Sequence, residues 1–596
     1  MLACLGAGHV LFLCLPSLRN DFSTTLLLLF RYLAGMGALI FILFILALCG
    51  LFQALLIYPL VAVSALLGAG ILLRNARNLA LEAKHEAGAL FQDSPLWLLL
   101  LLLCFGVWIY FFGGLGTTVD GDSVAFYYAL AKLTAATGKL APLPGYEPFS
   151  GITLYGDMIS ALFMLLKMPD FTQKMYGWLH MLPAILLFYS VFKKTCDSRR
   201  AGILAAVFLC TSTAYLFLTP FGKNDSLPVS FCVAAVFCLL QAVSVRETKT
   251  LFGLAGLFAG CAVGIKYSYL IILCPWLLVV SVYVVYKQVS LNSYRIFISK
   301  FVKLSCVTGG VFLLFLAPHF LKNILWYGSL VGLSSSHVYF STITTIRLLL
   351  LYPLALVYGN FWAQGGHITP LLLALLPFVF MLSRKEWALR EGAVVYWLGA
   401  LAGLGAWLVL VPSVFQLRYI LAVYLCLGIP LWLSAAAVSK KSKAMSLLIV
   451  MLSVLSFYGA WKHSKSDFYH NWWNTRQYLK SGDPLFIYGG LSSFYLAQSK
   501  LNETAPENAR VFLMYYRYWL RPDLLEHARK TGDQGDFTTK DGFWPFIIDN
   551  DFSYIQMDST TTHLEEYIHE PPEGVRVSPV YVNDECSVKI YKVTVE

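Results

Sequence analysis

The stretch GLGTTVDGDSVAFYYALAKLTAATGKLAPLPGYEPFS, residues 114–150, follows a membrane-length apolar run and carries Asp120 and Asp122 near its start. An acidic side chain just past the end of a membrane helix lies at the membrane surface, where it can stay ionised. The segment after it, SVAFYYALAKL, has aromatic and aliphatic residues at helical spacing, which predicts a helix lying along the interface. The stretch therefore predicts an acidic loop at one membrane face. It leaves open whether the acids take part in chemistry or only cap a helix.

The composition places most of the chain in a membrane. Of its 596 residues, 58% are hydrophobic and only 13% are charged, and apolar runs of membrane length recur along the chain. This pattern excludes a soluble globular protein and predicts a polytopic α-helical membrane protein. Only one of the 13 cysteines, Cys586, lies in the polar tail, so a disulfide framework within that tail is excluded as well.

Short turns rich in Lys and Arg set the predicted topology. Because such turns stay on the cytoplasmic side of a membrane, we place five of them there. They are residues 193–200, 246–249, 287–300, 383–390 and 439–443. The apolar runs between and around them then predict about 13 spans, at 32–49, 51–73, 97–112, 177–192, 201–218, 227–245, 251–265, 269–286, 302–316, 371–382, 394–411, 420–437 and 445–458. Whether residues 1–17 form a further span stays open.

Two further apolar runs do not fit as spans. If residues 151–168 crossed the membrane, every later turn would change sides, so we predict that they form a helix on the external surface. By the same logic residues 342–356 belong to a long external loop.

The topology divides the chain into three regions. The first, 1–95, holds additional membrane helices and a cytoplasmic loop. The second, 96–461, is a transmembrane domain with external loops at 114–174 and 318–369. The third, 462–596, lies outside the cytoplasm and carries 14 Lys and Arg against 19 Asp and Glu. Its short strand-like pieces between helical and turn-rich segments predict a small soluble α/β domain.

The predicted external face gathers several charged side chains close to membrane depth. They are Asp120, Asp122, Lys223, Asp225, Lys266, Lys322 and Arg418. A charge at the bilayer centre costs ~2.5–3.5 kcal/mol, so such charges usually surround water or a functional site. Acids and bases together on one face predict a cleft that binds an anionic headgroup and activates a hydroxyl or an amine. Simpler explanations exist: Lys266 and Lys322 could snorkel to the surface, and Asp225 could cap a helix. Arg418 could pair with a lipid phosphate of no catalytic interest.

Five motifs point to a known family. They are DGDSVAFYYALAKLTAATGKL (120–140), KNDSLPVSFCVAAVF (223–237), GLFAGCAVGIKYSYLIIL (256–273), PHFLKNILWYGSLVGL (318–333) and LRYILAVYLCLGIPL (417–431). In their order and sidedness they resemble the GT-C superfamily of membrane glycosyltransferases, in the branch of bacterial aminoarabinose transferases of lipid A and protein mannosyltransferases. The resemblance covers about 97–437, and the tail follows the family's soluble-domain pattern.

The resemblance implies a polyprenyl-phosphate sugar as donor. The sugar would pass with inversion to a glycan, lipid or protein acceptor on the non-cytoplasmic face, with the chain in a bacterial inner membrane and its tail in the periplasm. Asp122 matches the family's catalytic acid, Asp120 is the alternative, and Asp225 would be a second acid. The candidates for donor phosphate binding are Lys223, Lys266, Arg418 and Lys322. Cations or a divalent metal ion would neutralise the leaving phosphate, and the sequence leaves open whether a metal is required.

One departure from the family and two other functions stay open. Where relatives have Lys-Pro-Pro, this chain has Glu147-Pro148-Phe149, so a phosphate-contacting lysine is absent at that position and the donor's binding mode is in doubt. A lipid or glycan transporter is one alternative function, although the chain lacks the corresponding pairs of broken helices that many transporters show. An O-antigen ligase or polymerase is the other. No basic patch interleaved with aromatic residues suggests nucleic acid, so membrane lipids, the donor and the acceptor are the expected partners.

Overall fold

A computed structural model gives the architecture of the chain. It describes residues 1–13, 22–112, 123–143, 150–168, 171–218, 224–245, 247–289, 294–330, 356–357, 367–383, 387, 390–411, 417–488, 491–513, 516–530, 540–558, 564–583 and 588–596. Three of the predicted site residues, Asp120, Asp122 and Lys223, lie outside these residues, as does almost all of the predicted surface segment 342–356.

The membrane part is built from long apolar helices. Within the described residues, ten helical segments are long and apolar enough to cross a membrane. They are Thr24–Leu48, Ala54–Asp93, Lys174–Thr195, Asn224–Gln241, Thr248–Ile265, Tyr269–Gln288, Tyr294–Tyr327, Glu391–Leu410, Leu421–Lys441 and Lys443–Lys462. The predicted class, a polytopic helical membrane protein, is therefore confirmed, and each of these segments overlaps a predicted span.

The remaining three predicted spans are shorter or broken. Pro95–Tyr110 has 16 residues. The segment predicted at 201–218 divides at Ser212 into Arg199–Thr211 and Thr213–Leu218, because Ser212 is extended and the chain after it bonds elsewhere: the Ala214 N–H donates to the His367 carbonyl at 3.0 Å. The segment predicted at 371–382 forms two four-residue helices, Leu371–Ala374 and Leu376–Val379, with a proline in the first turn of the second.

Two further helices, Asp157–Leu165 and Leu2–Leu13, are also too short to span a bilayer. Asp157–Leu165, in the run that we placed on the surface, has nine residues and is about 14 Å long, whereas a hydrocarbon core is about 30 Å thick. Leu2–Leu13 has 12 residues and packs against Thr24–Leu48 and Ala54–Asp93.

The helix predicted after the acidic loop, which we call the interfacial helix, is present, and its position along the membrane interface stays a prediction. It starts as a π-helical turn, Ser123–Tyr127, and continues as the α-helix Tyr128–Thr137. It ends at Gly138, whose φ of 73° lies in the left-handed region where glycine carries no Cβ penalty.

The polar tail is a small α/β domain around one sheet, as predicted. Its strands are β1 (Val511–Leu513), β2 (Ala528–Lys530), β3 (Tyr554–Met557), β4 (Val575–Asn583) and β5 (Val588–Val595). The strand order is β2-β1-β3-β5-β4. The pairs β1–β2 and β1–β3 are parallel, whereas β3–β5 and β4–β5 are antiparallel.

Helices cover and connect these strands. The tail helices are Leu485–Tyr488, Ser492–Thr504, Pro522–Glu526, Lys540–Asp549 and Glu565–His569. Phe512, Phe543 and Ile555 are fully buried between the sheet and Lys540–Asp549, so the tail has a core of its own.

A continuous helix joins the membrane part to the tail. Lys443–Ser481 has 39 residues and runs without a break across the boundary that we predicted at residue 462. The tail also contacts the interfacial helix directly. The Tyr518 N–H donates to the Val124 carbonyl at 3.2 Å, and the Lys132 ammonium donates to the Tyr518 carbonyl at 3.0 Å. The tail is thus held at two places, by its stalk and by the helix that follows the acidic loop.

Candidate active site

Two of the predicted site residues form an ion pair between a buried carboxylate and a partly buried ammonium. Asp225 lies in the 3₁₀ turn Asn224–Ser226, which leads into the helix Leu227–Gln241. Lys266 lies just past the last turn of Thr248–Ile265, with extended backbone and its N–H on the Ala262 carbonyl at 2.9 Å. The Lys266 ammonium contacts the Asp225 carboxylate, and the two side chains are 14% and 7% exposed. Asp225 therefore pairs with a cation, and the capping alternative does not describe its contacts.

Arg418 joins this pair through an aromatic ring. The short 3₁₀ turn Leu417–Tyr419 brings the Tyr419 ring to 4.5 Å from the Lys266 ammonium and 5.4 Å from the Arg418 guanidinium carbon. The Ser268 hydroxyl donates to the Tyr419 carbonyl at 2.6 Å and ties this turn to the segment that carries Lys266. Two cations thus share one ring, an arrangement worth about 0.5–2 kcal/mol for each cation.

The cluster of Asp225, Lys266, Arg418 and Tyr419 has the chemistry of an anion site. Its described side chains include two cations, Lys266 and Arg418, and side chains of this kind bind the oxygens of a phosphate. Arg can contact two phosphate oxygens at once, whereas Lys acts as a point charge. Segments that are distant in the sequence supply these groups, as the prediction of a common cleft required.

A second network holds the cluster's backbone in place. The Asn224 amide, next to Asp225, donates to the Asp157 carboxylate at 3.0 Å. The Tyr155 N–H donates to the Gly264 carbonyl at 3.2 Å, two residues before Lys266. The fit there is tight, since a Cβ on Gly264 would lie 2.4 Å from the Tyr155 ring. The chain following the acidic loop therefore braces both halves of the ion pair.

Lys322 belongs to this second network. It is fully buried, and its ammonium donates to the main-chain carbonyls of Ser150 and Ile152, the latter at 2.9 Å. Beside it, the Asn323 amide donates to the Gly151 carbonyl at 3.0 Å. A fully buried ammonium held by carbonyls does not reach the surface, so the snorkelling explanation is wrong. The predicted role of Lys322 in donor binding stays a prediction.

Asp157 is the buried acid of the same network. Burial raises the pKa of the Asp157 carboxyl well above its usual range, while the Lys322 charge and the Asn224 hydrogen bond act in the opposite direction. We did not predict this residue from the sequence, because an acid in the first turn of a helix has an ordinary explanation as a helix-dipole partner. Tyr419 was also missed, although its place beside Arg418 in FQLRY was the available signal.

A metal site is not formed by the described residues. Among them, no group of three His, Cys, Asp or Glu side chains is arranged to hold an ion. The divalent metal raised by the family resemblance stays a prediction. The same holds for the roles of Asp120, Asp122 and Lys223, which lie outside the described residues.

The sequence and the fold were compared with known proteins. A family model described as dolichyl-phosphate-mannose-protein mannosyltransferase matches residues 154–321. This stretch contains Asp157, Asp225 and Lys266. The solved structure of ArnT from Cupriavidus metallidurans in the apo state superposes with a TM-score of 0.52 at 11% sequence identity, covering 83% of this chain and 97% of that one. This chain has the GT-C fold. The GT-C resemblance predicted from the five motifs is confirmed at the level of the fold.

Two further solved structures superpose on this chain. The archaeal oligosaccharyltransferase AglB from Archaeoglobus fulgidus, in complex with an inhibitory peptide and a dolichol-phosphate, superposes with a TM-score of 0.47 at 12% identity, covering 79% of this chain and 70% of that one. The mycobacterial arabinofuranosyltransferase AftD superposes with a TM-score of 0.48 at 15% identity, covering 85% of this chain and 40% of that one. Comparison with curated protein sequences gave no significant match.

Proposed function

We propose that this GT-C protein is a glycosyltransferase that moves a sugar from a polyprenyl-phosphate donor to a glycan, lipid or protein acceptor, with inversion, on the non-cytoplasmic face. The observation that carries the proposal is the convergence of Asp225, Lys266 and Arg418 around the Tyr419 ring. The family model over residues 154–321 supports it, because that model is described by a lipid-phosphate sugar donor.

In this reaction the two cations stabilise the leaving group. The acceptor oxygen or nitrogen forms a bond to the anomeric carbon while the bond from that carbon to the phosphate oxygen breaks. The electron pair of the broken bond stays on the polyprenyl phosphate, whose growing negative charge Lys266 and Arg418 neutralise. A single displacement from the opposite face inverts the anomeric configuration.

The proton of the acceptor goes to a carboxylate. Asp122 is our candidate for this base, with Asp120 as the alternative, since both precede the interfacial helix Ser123–Thr137. Asp225 has a different task in the proposal. Its carboxylate holds the Lys266 ammonium in place before the donor binds, so that the cation is already oriented when charge develops on the phosphate.

A transfer assay tests the proposal without knowledge of the acceptor. Purified protein is given a panel of polyprenyl phosphates carrying radiolabelled monosaccharides, together with a cell-envelope extract. We expect the release of polyprenyl phosphate and the transfer of label, both strongly reduced in Lys266→Met and in Arg418→Ala. Lys500→Ala, which removes an exposed lysine of the tail, is the matched control and should keep full activity.

The same protein in lipid vesicles distinguishes a transferase from a transporter, which is the main alternative. Movement of the labelled donor across the membrane with its sugar–phosphate bond intact, and no cleavage under any condition, would replace the transferase by a transporter. Cleavage that is equally fast in wild type and both variants would remove the cluster from the reaction.

A further inference from the structure

A basic cavity lies at the opposite end of the membrane domain from the candidate active site. It has a volume of about 600 Å³ and lies between the first turn of Thr248–Ile265 and the first three turns of Tyr294–Tyr327. Lys266 follows the other end of Thr248–Ile265, roughly 27 Å away at 1.5 Å per residue. The positive-inside rule assigns the cavity end of these helices to the cytoplasm.

Four cations line this cavity against one acid. They are Lys249, Arg295, Lys300 and Lys303, and the acid is Glu247. In the part of the chain that the structure describes, no ion pair forms on any of the four cations. This separates the cavity from the charged groups elsewhere on the same side, where Glu86 pairs with Lys193 and Asp93 pairs with Arg200.

The helix geometry explains why the cavity is open. The two helices touch at a Gly-x-x-x-Gly motif, where a Cβ on Gly256 would lie 2.3 Å from the Thr308 carbonyl oxygen and a Cβ on Gly260 would lie 2.8 Å from Phe315. The Thr308 hydroxyl also donates to the Phe252 carbonyl at 3.0 Å. On the side of this contact toward the start of both helices, long basic side chains line the cavity between them.

The lining of Tyr294–Tyr327 forms one amphipathic face. Arg295, Ser299 and Lys303 repeat every four residues, and Ile296, Lys300 and Leu304 follow the same spacing one position later. The face therefore carries three cations, with the apolar side chains of Ile296 and Leu304 beside them. Outside the cavity, Tyr294 and Val302 on the same helix expose 77% and 51% of their surface, as expected of a helix that enters a lipid layer.

We propose that this cavity binds the phosphate headgroup of an anionic phospholipid in the cytoplasmic leaflet, with the acyl chains of the lipid against the apolar part of Tyr294–Tyr327. Unpaired cations need an anion, and a basic pocket between membrane helices on the cytoplasmic side is the arrangement that recognises acidic headgroups. The apolar side chains adjoining the cations favour a phospholipid over a free phosphate ion. The site is separate from the donor cluster and does not depend on the proposed transfer reaction.

Native mass spectrometry of the purified full-length protein in detergent tests the proposal. The probes are cardiolipin, phosphatidylcholine and inorganic phosphate, each added to lipid-stripped protein. We expect cardiolipin to bind and phosphatidylcholine and phosphate to bind far more weakly. The variant Arg295→Gln/Lys300→Gln/Lys303→Gln should bind cardiolipin roughly 100-fold more weakly, from about fivefold for each cation near the surface.

The matched control removes three cations from the same predicted face without touching the cavity. Arg74→Gln/Arg77→Gln/Lys84→Gln changes the net charge equally on the exposed side of Ala54–Asp93 and should keep wild-type cardiolipin binding. If the control loses as much binding as the cavity variant, the attraction is a general surface effect and the proposal is wrong. Equal binding of phosphate, or unchanged cardiolipin binding in the cavity variant, also overturns it. If the triple variant does not fold, the single variants Arg295→Gln and Lys303→Gln should each weaken binding about fivefold.

Discussion

At the scale of the residue, the proposed binding of the donor phosphate depends more on the shape of the Arg418 side chain than on its charge. Lys266 is fixed by Asp225, so it presents a single oriented charge. The Arg418 guanidinium lies over the Tyr419 ring of the same cluster. Because the guanidinium is planar, it can donate to two oxygens of one phosphate. A lysine at this position would keep the charge but lose the second hydrogen bond.

Replacing Arg418 with Lys is therefore expected to weaken donor use by about 10-fold or more, since a hydrogen bond to a charged group contributes about 1.5–3 kcal/mol. The measurement is the donor dependence of transfer, with the acceptor held in excess. Arg418→Ala should raise the donor KM further or lower kcat, while the acceptor KM changes little. An unchanged donor response in Arg418→Ala and Lys266→Met alike would show that the two residues are separate surface cations.

Asp122→Asn is expected to leave expression and folding intact and to reduce transfer by ~10²–10⁴-fold, because a positioned carboxylate base contributes about that much. Asp120→Asn should reduce transfer less. Both variants are compared by single-turnover rates at saturating donor, with the thermal unfolding midpoint as the check on folding. Wild-type turnover in Asp122→Asn would move the base to Asp120 or to another group.

At the scale of the element, the network that holds the cluster's backbone depends on the close contact between Tyr155 and Gly264. The turn at Tyr155 fits against the end of Thr248–Ile265 only because position 264 lacks a Cβ. Lys322 fixes the same turn from the other side by taking up carbonyls of Ser150 and Ile152. Disturbing this contact should act on the cluster of Asp225, Lys266, Arg418 and Tyr419 through its backbone, without removing any of its charges.

Gly264→Ala is therefore expected to destabilise the protein by about 1–3 kcal/mol through overpacking, and to lower transfer. The matched control is Gly309→Ala, because that glycine lies inside the helix Tyr294–Tyr327 with no atom within 4 Å of a new Cβ. It should be neutral or stabilise the protein by about 0.5–1 kcal/mol. Thermal unfolding and transfer rates are measured side by side. If the two variants have the same stability and the same transfer rate, the turn at Tyr155 moves aside without loss of stability, and the expected effect of Gly264→Ala is wrong.

The sequence predicted the elements better than their contacts. Apolar length and charged turns were enough to find the membrane helices, and strand-like pieces around Val511, Tyr554 and Val588 were enough to find the tail sheet. Lys322 shows what the sequence could not predict. Nothing local distinguishes a lysine that reaches the surface from one buried against carbonyls about 170 residues away in the chain, because that burial arises only when residues 150–157 fold onto the helix Tyr294–Tyr327.

At the scale of the whole molecule, the topology is the prediction with the widest consequences. We expect residues of the tail and the first external loop to lie on one side of the membrane, and the Lys-rich turns on the other. On a cysteine-depleted chain in intact cells, an impermeant thiol reagent should label Glu507→Cys in the tail and should not label Arg77→Cys. Both positions are exposed.

The choice of positions for this labelling follows from the structure. Ser439, in one of the Lys-rich turns, is buried and accepts a hydrogen bond from Arg200, so a cysteine there would be protected on either side of the membrane. Labelling of Arg77→Cys with protection of Glu507→Cys would invert the topology and place the tail in the cytoplasm. Permeabilised cells, in which both positions should react, provide the control.

The unbroken helix Lys443–Ser481 fixes the rotation of the tail about the helix axis, relative to the membrane part. Each residue of an α-helix turns the chain by about 100° and advances it by about 1.5 Å. One residue added to the stalk would swing Tyr518 away from the Val124 carbonyl that it meets at 3.2 Å. Seven added residues would restore the direction to within about 20° but lift the tail by about 10 Å. An insertion or deletion in this helix therefore changes either the rotation or the height of the tail, or both. We expect the helix to tolerate substitutions but not changes in length.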